Sequence, residues 1–179
     1  MGSAASKRER KSEQNRLYLS SEELTLVKKS WREVVEPNPH WFFRRSVLGI
    51  LALSGAIRQT MGIRKHCSDD FDPVENEKID VLATRMLKFF SSSLDLLAQK
   101  KVEEARKQAY KLGAAHIHYG ERDSKFQSVF WEIYVSSFAA ILSHQDTTQL
   151  ESWIKFIRLN VDWISQGYED AKKGCLKSL

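Results

Sequence analysis

The stretch VEEARKQAYKLGAAHIHYG, residues 102–120, places a histidine within an apolar helical pattern. Four of its residues recur at steps of three and four and so share one face of a predicted helix: Ala105, Ala109, Leu112 and His116. The helix is predicted to run to Tyr119, where Gly120 ends it. A histidine on such a face is either a core-edge residue bonded to a backbone carbonyl or a ligand, and the pattern alone leaves both interpretations open.

The remaining pattern is also helical and lacks the alternation typical of strands. Ser20 and Glu23 form a predicted capping box, flanked by Leu19 and Leu24 as a hydrophobic staple. The other predicted segments are a helix at about 40–53, a short turn helix between Gly55 and Gly62, a loop at 64–73, a long helix after it, and helices at about 124–144 and 147–172. Six substantial helices and one short turn helix predict an all-α domain.

Two apolar groups are predicted to lie in the core. The long helix carries a stripe with steps of three and four: Ile79, Leu82, Met86, Phe90, Leu94 and Leu97. A run of three aromatic residues in the second helix is also expected to be buried: Trp41, Phe42 and Phe43.

Length and composition exclude several classes of protein. The 179 residues fit one domain, and 42% hydrophobic residues suffice for a sizeable core. Cys67 and Cys175 have no CxxC spacing, which excludes a disulfide scaffold and a zinc module. The longest apolar run, residues 46–57, is too short to span a bilayer. Asp69, Asp70 and Asp72 lack the order of a calcium loop and are expected to be solvated.

The net charge of +5 is unevenly distributed. Residues 1–16 carry +3 and the remaining chain only +2, so the domain has no electrostatic footprint for nucleic acid. We therefore divide the chain into a basic tail (1–18), a helical domain (19–172) and a C-terminal tail (173–179).

The first six residues, MGSAAS, match the pattern for N-myristoylation at Gly2. One myristoyl chain binds membranes only marginally, so stable attachment needs a second attraction. Four nearby basic residues are suited to an anionic membrane surface: Lys7, Arg8, Arg10 and Lys11. The sequence thus predicts a peripheral protein at the cytoplasmic face of the plasma membrane, and the alternative is a soluble tail.

The stretch LGAAHIHYG, followed by Phe126 in an aromatic-rich helix, resembles the proximal segment of the globin family, in which a Leu precedes the haem-binding His by one turn. Residues 20–31 are similar to the first globin helix with its buried Trp. Residues 56–63 resemble the turn at the haem edge, 82–86 the centre of the distal helix and 153–168 the final helix.

This resemblance implies a globin fold with haem b, whose iron His116 would coordinate from the proximal side. It places six further residues in or at the haem pocket: Met61, Leu82, Arg85, Met86, Leu112 and Phe126. Leu82 takes the distal position, with Arg85 at the rim and small Ala83 at a close helix crossing. Met61 corresponds to the aromatic that stacks on haem, and Glu121 to an apolar residue after the proximal His.

The implied function is binding or sensing of a diatomic gas such as oxygen, or redox signalling through the haem. Any enzymatic activity would be a haem-dependent redox reaction, and the electron-transfer or signalling partner is not identified by the sequence. The alternative is a haemless globin-fold interaction or scaffold module anchored at the membrane, because Met61 and Glu121 depart from the family pattern.

Overall fold

A computed structural model of the chain describes residues 19–63, 73–117 and 129–174. Over these ranges the protein is all-helical, without a strand, which confirms the predicted class. The seven helices are α1 (Ser21–Ser30), α2 (Pro39–Leu53), α3 (Gly55–Thr60), α4 (Pro73–Ala98), α5 (Val102–Ala115), α6 (Val129–Ile141) and α7 (Thr147–Lys172). A π-helical turn, Trp31–Val35, continues α1.

Side-chain caps define the starts of several helices. The predicted capping box is present at α1, where the Ser20 hydroxyl accepts from the Glu23 amide and the Glu23 carboxylate accepts from the Ser20 amide. Asn38 caps α2, which begins with Pro39 at its first position, and Asp146 caps α7. These local signals explain why the predicted bounds of α2 and α7 agree with the structure.

Two helices end earlier than the pattern predicts. Helix α5 stops at Ala115 because the His116 amide donates to the Gly113 carbonyl, three residues back, instead of continuing the four-residue ladder. Helix α6 stops at Ile141, not at His144, because the Gln145 amide closes a turn on the Leu142 carbonyl. The predicted loop at 64–73 falls largely outside the described residues, and Pro73 is the first residue of α4.

Aromatic rings fill the centre of the domain. Trp153, Phe42, Phe43 and Phe156 are fully buried, and Trp31 stacks on Trp153 with ring centroids 5.7 Å apart. These rings join α1, α2 and α7. Seven buried rings that contact one another form what we call the aromatic core: Trp31, Phe42, Phe43, Phe90, Phe138, Trp153 and Phe156.

The prediction that Trp41 belongs to the core is wrong. Its side chain is 49% exposed, and the Arg45 guanidinium lies over its ring at 5.2 Å. Phe42 and Phe43 occupy the inner face of α2, and one step along a helix turns the side chain by about 100°. Trp41 therefore points away from the core.

Among the helices that the structure describes, α5 and α7 share the most extensive contact. Their backbones touch at two glycines. A Cβ added at Gly113 would lie 1.8 Å from the Ile164 carbonyl oxygen, and one added at Gly167 would lie 2.0 Å from the Tyr110 carbonyl oxygen. Only glycine allows this approach, and we call the contact the glycine seam. It fixes α5, and with it the segment that ends at His116, against α7.

Candidate functional site at His116

His116 follows the last residue of α5 and caps the helix. Its Nδ1 lies 2.7 Å from the carbonyl oxygen of Leu112, one turn earlier. A carbonyl oxygen only accepts hydrogen bonds, so the proton of a neutral ring is on Nδ1 and the lone pair is on Nε2. This is the tautomer in which an imidazole can ligate a metal through Nε2.

The surroundings of His116 favour the neutral ring. Burial lowers the pKa of His116 below its ordinary value, and the hydrogen bond to the Leu112 carbonyl opposes this effect without reversing it. The imidazole is therefore uncharged at neutral pH. Metal ligation requires this state, because a protonated imidazole has no lone pair to offer.

Trp131 on α6 contacts the imidazole from the side. The two ring centroids are 5.3 Å apart at an interplanar angle of 69°, an edge-to-face arrangement. Trp131 is only 4% exposed, and Tyr134 lies next along α6 with its ring centroid 5.7 Å from that of Trp131. Burial raises the pKa of Tyr134 to about 12, so it remains an uncharged phenol. The imidazole thus contacts an uncharged indole, which in turn lies beside an uncharged phenol.

The other predicted pocket residues differ in exposure. Leu112 is partly buried, and Met61 and Leu82 are partly buried side chains that pack against the core. Met86 belongs to the core, whereas Arg85, one position earlier on α4, is exposed. Of these residues, Leu112 is the one bonded to His116.

Several predicted positions lie outside the described residues. They are Gly2 and the basic cluster of the tail, Cys67, the acidic group of Asp69, Asp70 and Asp72, Glu121, Phe126 and Cys175. The predictions for these residues stay predictions.

No group of three or more His, Cys, Asp or Glu side chains suited to a metal ion occurs within 19–63, 73–117 and 129–174. A prosthetic group that carries its own metal needs only one protein ligand on the proximal side, as in globins. The suitability of His116 as such a ligand therefore depends on its own tautomer, burial and contacts.

Comparison with known protein families finds none that matches this chain, and comparison with curated proteins finds no match either. Within the part of the chain that the structure describes, no helix is both long enough and apolar enough to span a bilayer.

The contacts that hold the site together are not evident from the sequence. Nothing in the pattern of α6 distinguished Trp131 from the other aromatic residues of that helix. Gly113 and Gly167 offered a usable signal, because a glycine inside a helix costs about 1 kcal/mol relative to alanine and usually has a packing reason. The partner of each glycine could not be read from the sequence, since it lies more than 50 residues away along the chain.

Proposed function

We propose that this protein is a globin-fold, haem-binding protein that binds or senses a diatomic gas such as oxygen, or passes electrons, while held at the cytoplasmic face of the plasma membrane. The observation that carries the proposal is the 2.7 Å contact between His116 Nδ1 and the Leu112 carbonyl. It supports an imidazole that is oriented for ligation before any group binds.

Three properties of His116 fit a proximal haem ligand. Its Nδ1 proton is held by a backbone carbonyl, as is usual for metal-bound histidines, and this bond fixes the ring orientation. The depressed pKa keeps the ring neutral. The edge contact with Trp131 restrains rotation of the imidazole about its Cβ–Cγ bond.

In this proposal, haem b supplies an iron that binds a small gas molecule or changes its oxidation state. The chain contributes orientation and exclusion of water. Leu82, Met86 and Met61 would offer apolar side chains to the porphyrin and its distal side, and Leu82 has no hydrogen-bond donor for a bound ligand. Exposed Arg85 would remain at the rim, where its charge can interact with solvent or with acidic groups of the porphyrin.

The test of haem binding is a titration of the purified full-length protein with haem, followed by absorption. We expect a Soret band that saturates at one haem per chain, and a much weaker band for His116→Ala. His40→Ala is the matched control, because His40 is an exposed histidine on α2, and it should bind haem like the unchanged protein. A saturating band that persists unchanged in His116→Ala would contradict the proposed ligand.

The alternative function is a haemless interaction module with a globin fold. It is favoured by Met61 and Glu121, which replace an aromatic and an apolar residue of the family pattern, and by the contact of His116 with a buried indole. A folded helical protein that stays colourless after haem addition would support this module and contradict the haem proposal.

Leu82→His tests the distal assignment independently of the proximal one. If Leu82 faces the iron, the new imidazole should give a six-coordinate spectrum, because histidine is a strong ligand for haem iron. Leu87→His is the control, since Leu87 is a partly buried leucine of the same helix that the assignment does not place over haem. An unchanged spectrum for Leu82→His would show that the assignment is wrong.

Membrane attachment rests on the sequence of the tail. Myristoyl-Gly2 and the basic cluster would act together, because neither gives stable binding alone. Protein made in a eukaryotic cell should carry the mass of one myristoyl group and pellet with vesicles that contain phosphatidylserine. Gly2→Ala should lose both properties, and an unmodified mass for the wild-type chain would contradict the anchor.

A further inference from the structure

Two kinds of contact hold α5 against α7. One sets the distance between the two helices, and the other sets the axial position of α5 along α7. The glycine seam sets the separation of the two helices, because the backbone at Gly113 and Gly167 already touches the opposite carbonyl groups. A polar contact joins the same two helices at Tyr110, whose backbone carbonyl also lies against Gly167. The Tyr110 hydroxyl donates to Asp170 Oδ2 at 3.0 Å, and both residues are buried, at 7% and 8% exposure.

The Asp170 carboxylate accepts a second hydrogen bond on its other oxygen, from Gln166 Nε2 at 2.8 Å. Burying a carboxylate is unfavourable unless hydrogen bonds satisfy it. Because Gln166 and Asp170 are both on α7, the bond from Tyr110 is the one that links the carboxylate to α5 within the described ranges. The carboxylate is thus satisfied fully only when α5 lies at one axial position on α7.

Tyr110 lies six residues before His116, which corresponds to about 9 Å along the helix axis. A helix moves as a rigid unit over this distance. The axial position and rotation of α5 at Tyr110 therefore also set the position and rotation of the segment that carries the imidazole. We propose that Tyr110 and Asp170 are positioning residues for His116: they fix the register of α5 on α7 so that the imidazole is held in one place.

The positioning role rests on the proposed function, because His116 is the residue assigned there as the haem ligand. The positioning itself needs no haem and can be measured without it. The chosen reporter is the His116 amide, which donates to the Gly113 carbonyl at 3.0 Å and exchanges with solvent only when this end of α5 opens.

The test compares Tyr110→Phe with Ser93→Ala. The second variant is the matched control, because the Ser93 hydroxyl donates to Asn160 Oδ1 at 2.6 Å in another buried contact with α7, made from α4. Both variants lose one buried hydrogen bond to α7, but only Tyr110→Phe loosens the register of α5. The double variant Tyr110→Phe/Asp170→Asn removes the buried charge as well, and so remains informative if the single variant does not fold.

We expect hydrogen exchange of the His116 amide to be at least about tenfold faster in Tyr110→Phe and in the double variant than in Ser93→Ala, because the lost bond involves a charged group. In haem-loaded protein, the iron–imidazole stretching frequency should shift in the two Tyr110 variants and not in Ser93→Ala. Equal exchange rates in Tyr110→Phe, the double variant and Ser93→Ala would overturn the positioning role. Failure of the wild-type chain to take up haem would instead contradict the proposed function and leave the exchange measurement decisive for positioning.

Discussion

The two ends of α7 are packed in opposite ways. Its first half carries Trp153 and Phe156 in the aromatic core, where large rings separate the helix backbones. Its second half carries Gly167 in the glycine seam, where the α5 and α7 backbones touch. The aromatic core stabilises the folded domain through the apolar area that its rings bury. The glycine seam allows little movement of α5. We infer that the aromatic core contributes most of the folding stability. The glycine seam mainly fixes the position of α5 on α7.

This difference matters for His116, because the imidazole is at the end of the helix held by the seam and not among the rings of the core. A site on such a rigid support needs little reorganisation when a ligand binds, which is the advantage of preorganised sites. Substitutions in the two regions should therefore differ in kind. A smaller side chain should destabilise the protein when it replaces a residue of the aromatic core. A larger side chain should destabilise it when it replaces a glycine of the seam.

The largest effect is expected for Trp153→Ala. The side chain is fully buried and stacks on Trp31, so its removal leaves a cavity and should lower the free energy of unfolding by about 3–5 kcal/mol. Trp41→Ala is the control, because Trp41 is half exposed and its loss should cost less than about 1 kcal/mol. Urea denaturation followed by circular dichroism measures both, and similar losses for the two tryptophans would contradict the core assignment.

A smaller but still large effect is expected for Gly113→Ala. The added methyl group would meet the Ile164 backbone at 1.8 Å, so α5 must move away from α7 at a cost of about 3 kcal/mol, the upper end of common overpacking effects. Haem uptake should weaken as well, because His116 moves with α5.

The control for Gly113→Ala is Gly55→Ala. A Cβ at Gly55 meets the flexible end of Arg58 at 3.3 Å, and the stability should stay equal or rise by up to about 1 kcal/mol. Thermal unfolding of both variants tests the seam. A Gly113→Ala protein as stable as the unchanged chain would show that the two backbones do not touch.

The smallest expected effect is the contribution of His116 to the pH dependence of the free energy of unfolding. The unfolded chain takes up a proton near the ordinary histidine pKa of 6.5, whereas the folded chain, with its lowered pKa, does so only at lower pH. The free energy of unfolding should therefore fall as the pH drops below about 6.5, and this loss stops below the folded pKa.

Denaturation of the haem-free protein between about pH 8 and about pH 5 measures this contribution. His116→Gln should show a shallower fall than the unchanged chain, because glutamine does not titrate. His144→Gln, which removes an exposed histidine after α6, is the control for the loss of a histidine side chain. Equal slopes for the unchanged chain and His116→Gln would contradict a partly buried imidazole that is neutral in the folded state.

Local signals made much of the fold predictable. The capping box of Ser20 and Glu23, Pro39 at the start of α2 and the apolar stripe of α4 depend on neighbours a few residues away, and each can be recognised in one sequence. The orientation of Trp41 was mispredicted because burial at that position depends on which face of α2 meets the other helices. The early end of α5 depends on a single hydrogen bond, from the His116 amide to the Gly113 carbonyl, which the apolar pattern does not indicate.

The candidate site was predictable at its centre but not around it. His116 was singled out by its place on an apolar face, and Leu112 by its place one turn earlier. Trp131, Tyr110 and Asp170 could not be connected to it, because contacts between distant helices depend on packing geometry that a single sequence does not display.

Chemical rescue is the sharpest test of whether the His116 imidazole ligates haem iron. His116→Gly removes the ligand and leaves space where free imidazole can bind. In haem-loaded His116→Gly protein, added imidazole should restore the absorption spectrum of the unchanged protein, with saturation as the concentration rises. If the spectrum of the variant already equals that of the unchanged protein before imidazole is added, His116 does not hold the iron.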